Sequence, residues 1–165
     1  MLSLLFTVAL FCLLYLGWSD LRTRLLPNKW VLAYTLLFIP ALLLRQPDWS
    51  QLGWHIGVGV FAFFVFLLLF IANAMGGGDV KLGTAVFLWA GSSSWLPALL
   101  ITAWVGGGLA VIGWLLDRQL LQRIRCPAFA ALRHGLSAQR GVPYGVGLVA
   151  AGIFVLWHYW LEWPT

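Results

Sequence analysis

The chain of 165 residues has room for one domain; 62 % of it is apolar and only 9 % charged, with a mean hydropathy of +0.91. A soluble domain carries about a quarter charged residues, so a water-soluble globule and a disordered chain are both excluded and a protein embedded in the lipid bilayer is expected. The net charge of +5 does not point to nucleic acid, because the ten Lys and Arg sit between apolar blocks rather than in a run or along one helix face.

In chain order the apolar stretches predict six membrane-spanning helices, Leu2–Trp18, Trp30–Leu44, Leu52–Ala72, Leu82–Ala90, Leu96–Leu116 and Val142–Trp160, in one polytopic domain over residues 1–165. Crossing ~30 Å of hydrocarbon takes about 20 apolar residues, and tilt or local thinning allows fewer. The fourth stretch reaches only about half that thickness, unless it runs on into Gly91-Ser92-Ser93-Ser94. Charge decides in its favour. With six crossings and the N-terminus outside, the odd-numbered loops hold Arg22, Arg24, Lys29, Lys81, Arg118, Arg123, Arg125, Arg133 and Arg140, while the even ones hold only Arg45. That is the asymmetry cytoplasmic loops show. Without the fourth crossing, the arginines of residues 118–140 would fall on the side opposite Arg22 and Arg24. The expected fold is therefore an all-α integral membrane protein with six transmembrane helices, the N-terminus outside and the fourth helix short. The first stretch is expected to be retained, since it lacks the basic residues ahead and the small-residue cleavage site behind that mark a signal peptide.

Eleven Trp and eleven Phe supply the rings that membrane proteins place at interfaces and packing surfaces. The long connection from Asp117 to Arg140 reads equally as an interfacial amphipathic segment or a solvated tether. Cys12 and Cys126 form no paired motif, and His55, His134 and His158 lack ligand spacing, so no metal site or cofactor is expected. Gly53-x3-Gly57 and Gly106-Gly107-Gly108 are expected to let helices pack closely, without indicating an oligomeric state. Asn73 either bonds to a site or caps the third helix.

Of five acids, Asp48, Asp117 and Glu162 lie in or beside turns, whereas Asp20 closes the first span and Asp79 opens the fourth. A carboxylate at the bilayer centre costs ~2.5–3.5 kcal/mol, so acids on spans tend to have a task. The end of an outward-starting first helix and the start of the fourth share one face, so the two can meet. Two carboxylates a few Å apart cannot both ionise cheaply, and one keeps its proton while a water sits between them. The ionised member can draw a proton from that water and the protonated one can bond a peptide carbonyl, as in an aspartic protease. As separate helix-end carboxylates they would be structural, with Asp79 favoured at a helix N-terminus. Gly76-Gly77-Gly78 lets the backbone adopt unusual dihedrals and come close to another chain, so an extended substrate could pair there; a plain inter-helix turn is the other reading.

Asp20 followed by Leu26-Pro27-Asn28, then Gly76-Gly77-Gly78-Asp79-Val80-Lys81-Leu82, then Pro143-Tyr144-Gly145 before the last span resembles the type IV prepilin leader peptidases, which are GxGD aspartic proteases of the bacterial inner membrane. The resemblance covers nearly the whole chain and looks most like the compact peptidases of tight-adherence pilus systems. It implies that Asp20 and Asp79 are the catalytic pair. Gly76, Gly77, Gly78 and Lys81 would border the substrate, and Pro143-Tyr144-Gly145 would bend the start of the last helix against the site. It implies a prepilin or pseudopilin precursor as substrate, cut at the cytoplasmic face between its short basic leader and its apolar helix. Larger relatives carry a cytoplasmic insertion with paired cysteines associated with N-methylation. Residues 20–29 contain no cysteine, so methyltransferase activity is expected to be absent. A proton-coupled small transporter or a non-catalytic pilus assembly factor could use the same aspartates, and a presenilin-type GxGD protease would need longer helices in a larger chain.

Overall fold

The computed structural model describes residues 2–45, 48–117 and 144–161. They form six helices: α1 (Leu2–Thr23), α2 (Asn28–Leu36), α3 (Phe38–Arg45), α4 (Trp49–Ile71), α5 (Gly77–Asp117) and α6 (Tyr144–Leu161). Four stretches are long and apolar enough to cross a bilayer: Ser3–Thr23, Trp49–Ile71, Gly77–Leu115 and Tyr144–Leu161. Arg118, Arg123, Arg125, Arg133 and Arg140 lie outside the described residues, with the rest of the 118–140 connection, Cys126, His134, Pro143 and Glu162.

Two of the six expected spans are not among these four as separate helices. The stretch Trp30–Leu44 is broken at Leu37 into α2 and α3. Pro40 stands in the first turn of α3, where its ring would collide with the carbonyl four residues earlier if the helix ran straight through. The Tyr34 carbonyl at this break accepts the Trp89 indole N–H at 3.2 Å. The expected fourth span begins earlier than Leu82, because Gly77, Gly78, Asp79 and Lys81 are already helical. A carboxylate in the first helical turn is favoured by the N-terminal dipole, so the charge there does not stop the helix.

Helix α5 is two helices joined at Gly91, whose φ of 55° and ψ of −153° are non-helical. Only glycine adopts this pair of angles readily. A straight helix from Asp79 to Gly106 would hold the two about 40 Å apart. Instead Gly106 lies beside Tyr144, with a Cβ there 3.6 Å from Tyr144 Cδ1, and the adjacent Gly145 faces Asp79. The chain therefore turns back at Gly91, and the second half of α5 returns along α6 and α4.

Helices in lipid gain little from apolar burial and associate through close packing, so small residues mark their contacts. A Cβ at Gly17 would meet Val149 at 3.2 Å, one at Gly59 would meet Leu88 at 3.3 Å, and one at Gly147 would meet the Thr102 carbonyl at 2.9 Å. These glycines hold α1, α4 and α5 to their neighbours. Gly53, Gly57, Gly107 and Gly108, expected to do so, have no atom within 4 Å of a Cβ position. The outer face of α4 shows Phe61, Phe64, Leu68 and Ile71 to the surroundings, as lipid contact requires.

Where α1 begins, the core is aromatic. Trp89 is wholly buried, stacked on Tyr34 at 5.6 Å between centroids and edge-on to Phe6, Phe38 and Tyr159. His55 joins this cluster: its Nδ1 bonds to the Leu88 carbonyl at 2.8 Å, and its ring lies against Gly91, where a Cβ would approach to 2.6 Å. His158 stacks on Phe154. Arg45 lies over the Tyr159 ring at 4.6 Å. Asn73 takes the left-handed conformation with φ 57° just past α4. Its amide bonds to Phe70 O and that of Ala74 to Leu69 O, both at 2.9 Å. This is the paired closure that ends a helix on a left-handed residue, and asparagine tolerates it. Asn73 therefore caps α4.

Candidate active site

Asp20 stands in the last turn of α1 and is buried, 4 % exposed. The helix closes just beyond it. Arg24 is left-handed with φ 57°, and its amide returns to Asp20 O at 3.0 Å. The Ser19 hydroxyl donates to Leu25 O at 2.8 Å, which ties the departing chain to the helix it has left. Leu26 precedes a proline and is biased away from helix. It covers Gly78 so closely that a Cβ there would lie 3.0 Å from its own Cβ. Pro27 then opens α2 with φ −65°, and its carbonyl accepts the Trp30 amide at 3.0 Å.

Asp79 is the third residue of α5, and its carboxylate reaches back toward the Gly76 amide that precedes the helix. This is the geometry by which an acid in the first turn satisfies the amide of the capping residue. A Cβ at Gly76 would press on Asp79 Oδ2 at 3.1 Å, and one at Gly77 would meet Phe70 at 3.4 Å. Among the described residues the positive-φ glycine is Gly91, not one of Gly76–Gly78. The three glycines therefore give room rather than unusual dihedrals. Gly77 and Gly78 form a helical turn, not an extended strand partner.

The two acids come together at a residue that the sequence placed near them only through its bend. From a Cβ at Gly145, Asp20 Oδ2 would be 2.6 Å away and Asp79 Oδ1 3.1 Å away. Carboxylate oxygens from α1 and α5 thus reach one point on α6, and only a residue without a side chain leaves them that space. The next residue, Val146, donates its backbone amide to Asp20 Oδ2 at 3.2 Å. Asp79 Oδ1 is buried and has no hydrogen-bond partner. The Arg24 guanidinium is a positive charge that bears on both carboxylates. Neither Gly145 nor Val146 carries a chemical signal in the sequence, since a glycine and a backbone amide are visible only once α6 is docked.

Lys81 lies two residues beyond Asp79, about 200° around the helix, and points away from the acid pair. It is exposed and donates to Asn28 Oδ1 at 3.1 Å, joining α5 to the start of α2. Among the described residues, no three of His, Cys, Asp and Glu group closely enough to hold a metal ion.

An apolar helical bundle with two carboxyl groups facing each other at one end defines the class: a polytopic membrane protein built around an acid pair. The model of the type IV leader peptidase family matches residues 7–111, and the chain belongs to that family of peptidases. No curated protein and no solved structure matches it. The matched range contains Asp20, Asp79, Gly76–Gly78 and Lys81 and ends before α6.

Proposed function

We propose that the protein is a membrane-embedded aspartic endopeptidase of the bacterial inner membrane that removes the short basic leader from type IV pilin or pseudopilin precursors at the cytoplasmic face. The observation that carries this reading is the meeting of Asp20 and Asp79 at Gly145, in a chain of the leader peptidase family. The chain would cross the bilayer six times, with α2 and α3 together as one crossing and α5 as two. Arg22, Arg24, Lys29 and Lys81 would then share the acid face, with Arg45 opposite, as the positive-inside bias requires.

Hydrolysis follows from the pair. One carboxylate takes a proton from a water held between them, and the hydroxide adds to the scissile carbonyl carbon while the protonated partner gives its proton to the carbonyl oxygen. In the resulting gem-diol the partner, now ionised, withdraws a hydroxyl proton. The first acid hands its proton to the leaving nitrogen, the C–N bond breaks, and both acids return to their starting states. The first turn of α5 offers amides that lack intrahelical acceptors, and substrate carbonyls would meet those of Gly77 and Gly78, with Gly76 and Lys81 on the flank. The compact chain, without the cysteine-bearing insertion, cleaves but does not methylate.

The test is co-expression with a candidate pilin precursor, comparing wild type with Asp20→Asn and Asp79→Asn by gel shift and N-terminal sequencing. Shortening by wild type alone, at equal membrane levels, supports the reading. Processing by both variants would make the two acids structural.

A further inference from the structure

The two acids are not equivalently placed. Asp20 accepts the Val146 amide at 3.2 Å, and Val146 stands in the first turn of α6. First-turn amides have no partner inside their own helix, so the Val146 amide suits an ionised carboxylate; Asp79 also stands in a first turn, that of α5, so a helix dipole acts on both acids and the donor is what differs. Asp79 reaches back toward Gly76, just before its own helix, while its Oδ1, the oxygen aimed at Gly145, has no hydrogen-bond partner and is buried. A buried carboxyl oxygen without a donor is where a proton is least costly. Among the described residues, the charged groups bearing on the pair are the acids themselves and Arg24, which acts on both.

We infer that the start of α6 divides the labour of the pair: the Val146 amide holds Asp20 as the carboxylate that takes the proton from water, Asp79 is the acid that donates to the peptide carbonyl, and Gly145 is the positioning residue that sets their separation. This rests on the peptidase reading above and deepens it. Gly145 is suited to a sharp test because the atoms facing it are the ends of two short side chains. An added methyl can push them apart without moving a helix. Gly147, two residues along, faces backbone instead, the Thr102 carbonyl at 2.9 Å and the Gly106 nitrogen at 3.1 Å. A methyl there must separate α6 from α5.

The experiment compares Gly145→Ala, Gly147→Ala and Val146→Pro with wild type in purified form on a fluorogenic precursor peptide. Gly145→Ala should lower kcat roughly 100-fold, the loss expected for displacing a reacting group by about 1 Å, with KM and thermal midpoint near wild type. Gly147→Ala should lower the thermal midpoint and leave kcat per folded molecule within a few fold. Val146→Pro removes the amide that favours ionised Asp20, so the acidic limb of its kcat profile should move up by about one pH unit; a purely structural defect would lower the whole profile without moving the limb. Wild-type kcat in Gly145→Ala, or an unmoved limb in Val146→Pro, would overturn the inference while leaving the peptidase reading intact. The Asp20–Val146 bond is also tested without cleavage. Asp20→Ala should melt below Asp20→Asn, whose side-chain oxygen still accepts the amide, and equal midpoints would remove the bond on which the division rests.

Discussion

At the end of the bundle where α1 begins, Trp89 is enclosed by the rings of Phe6, Tyr34, Phe38 and Tyr159, whereas at the other end two carboxylates meet over a glycine and are held by backbone amides. The aromatic end spreads its contacts over many partners, so losing one ring weakens the fold while the rest still packs. The acid end has no such redundancy. Each carboxylate there depends on a few single contacts, and the space between them is set by a missing side chain. A change at the first end should therefore be read in stability, and a change at the second in rate.

The largest effect should come from the acids. Asp20→Asn and Asp79→Asn keep size and hydrogen-bonding capacity but remove the proton chemistry, so cleavage should fall by a factor on the order of 10³, with little change in thermal midpoint in detergent. A residual rate within tenfold of wild type would erase the contrast between the ends. Trp89→Ala should show the opposite pattern, destabilising by about 3–5 kcal/mol in thermal or denaturant unfolding while kcat per folded molecule is kept. Gly91→Ala places a side chain at backbone angles that cost about 1–3 kcal/mol and drives a methyl into His55, so it should lower the melting temperature too. If it instead lowered kcat at unchanged stability, the reversal at Gly91 would belong to the chemistry.

Smaller changes sharpen the same contrast. Asn73→Ala should cost about 1 kcal/mol through its left-handed backbone, and Asn73→Gly should be neutral, both without effect on the rate of the folded protein. Lys81→Met should raise KM about threefold or less and leave kcat alone, since Lys81 lies around the helix from the acid pair. A large fall in kcat would place it in the chemistry instead.

The acids stood out in the sequence because carboxylates on apolar helices are costly, and because the expected parity of six crossings would put both on one face. The helical character of the chain followed from composition. What stayed hidden depends on docking. The spacing Gly53-x3-Gly57 signals small residues on one helix face but not whether anything covers that face; the neighbour is covered at Gly59 instead. The break at Leu37 could be anticipated from Pro40, but only by weighing a proline in the first turn of a new helix against an unbroken apolar run. Gly145 carries no charge and no donor beyond its backbone, so its position against both acids is a tertiary fact. The same holds for the amide of Val146.

The most direct test of the acid pair is chemical proximity in the membrane. Cysteines at positions 20 and 79, in a chain with Cys12 and Cys126 replaced by alanine, are treated with a short bis-methanethiosulfonate, and the intact mass of the denatured chain is read before and after reduction. One spacer per chain bonded to both cysteines, with each single-cysteine variant carrying one pendant reagent and reductant restoring the free thiols, is the predicted result. Two pendant reagents per chain, one on each cysteine, in protein that remains folded, would contradict the meeting of Asp20 and Asp79 on which the account is built.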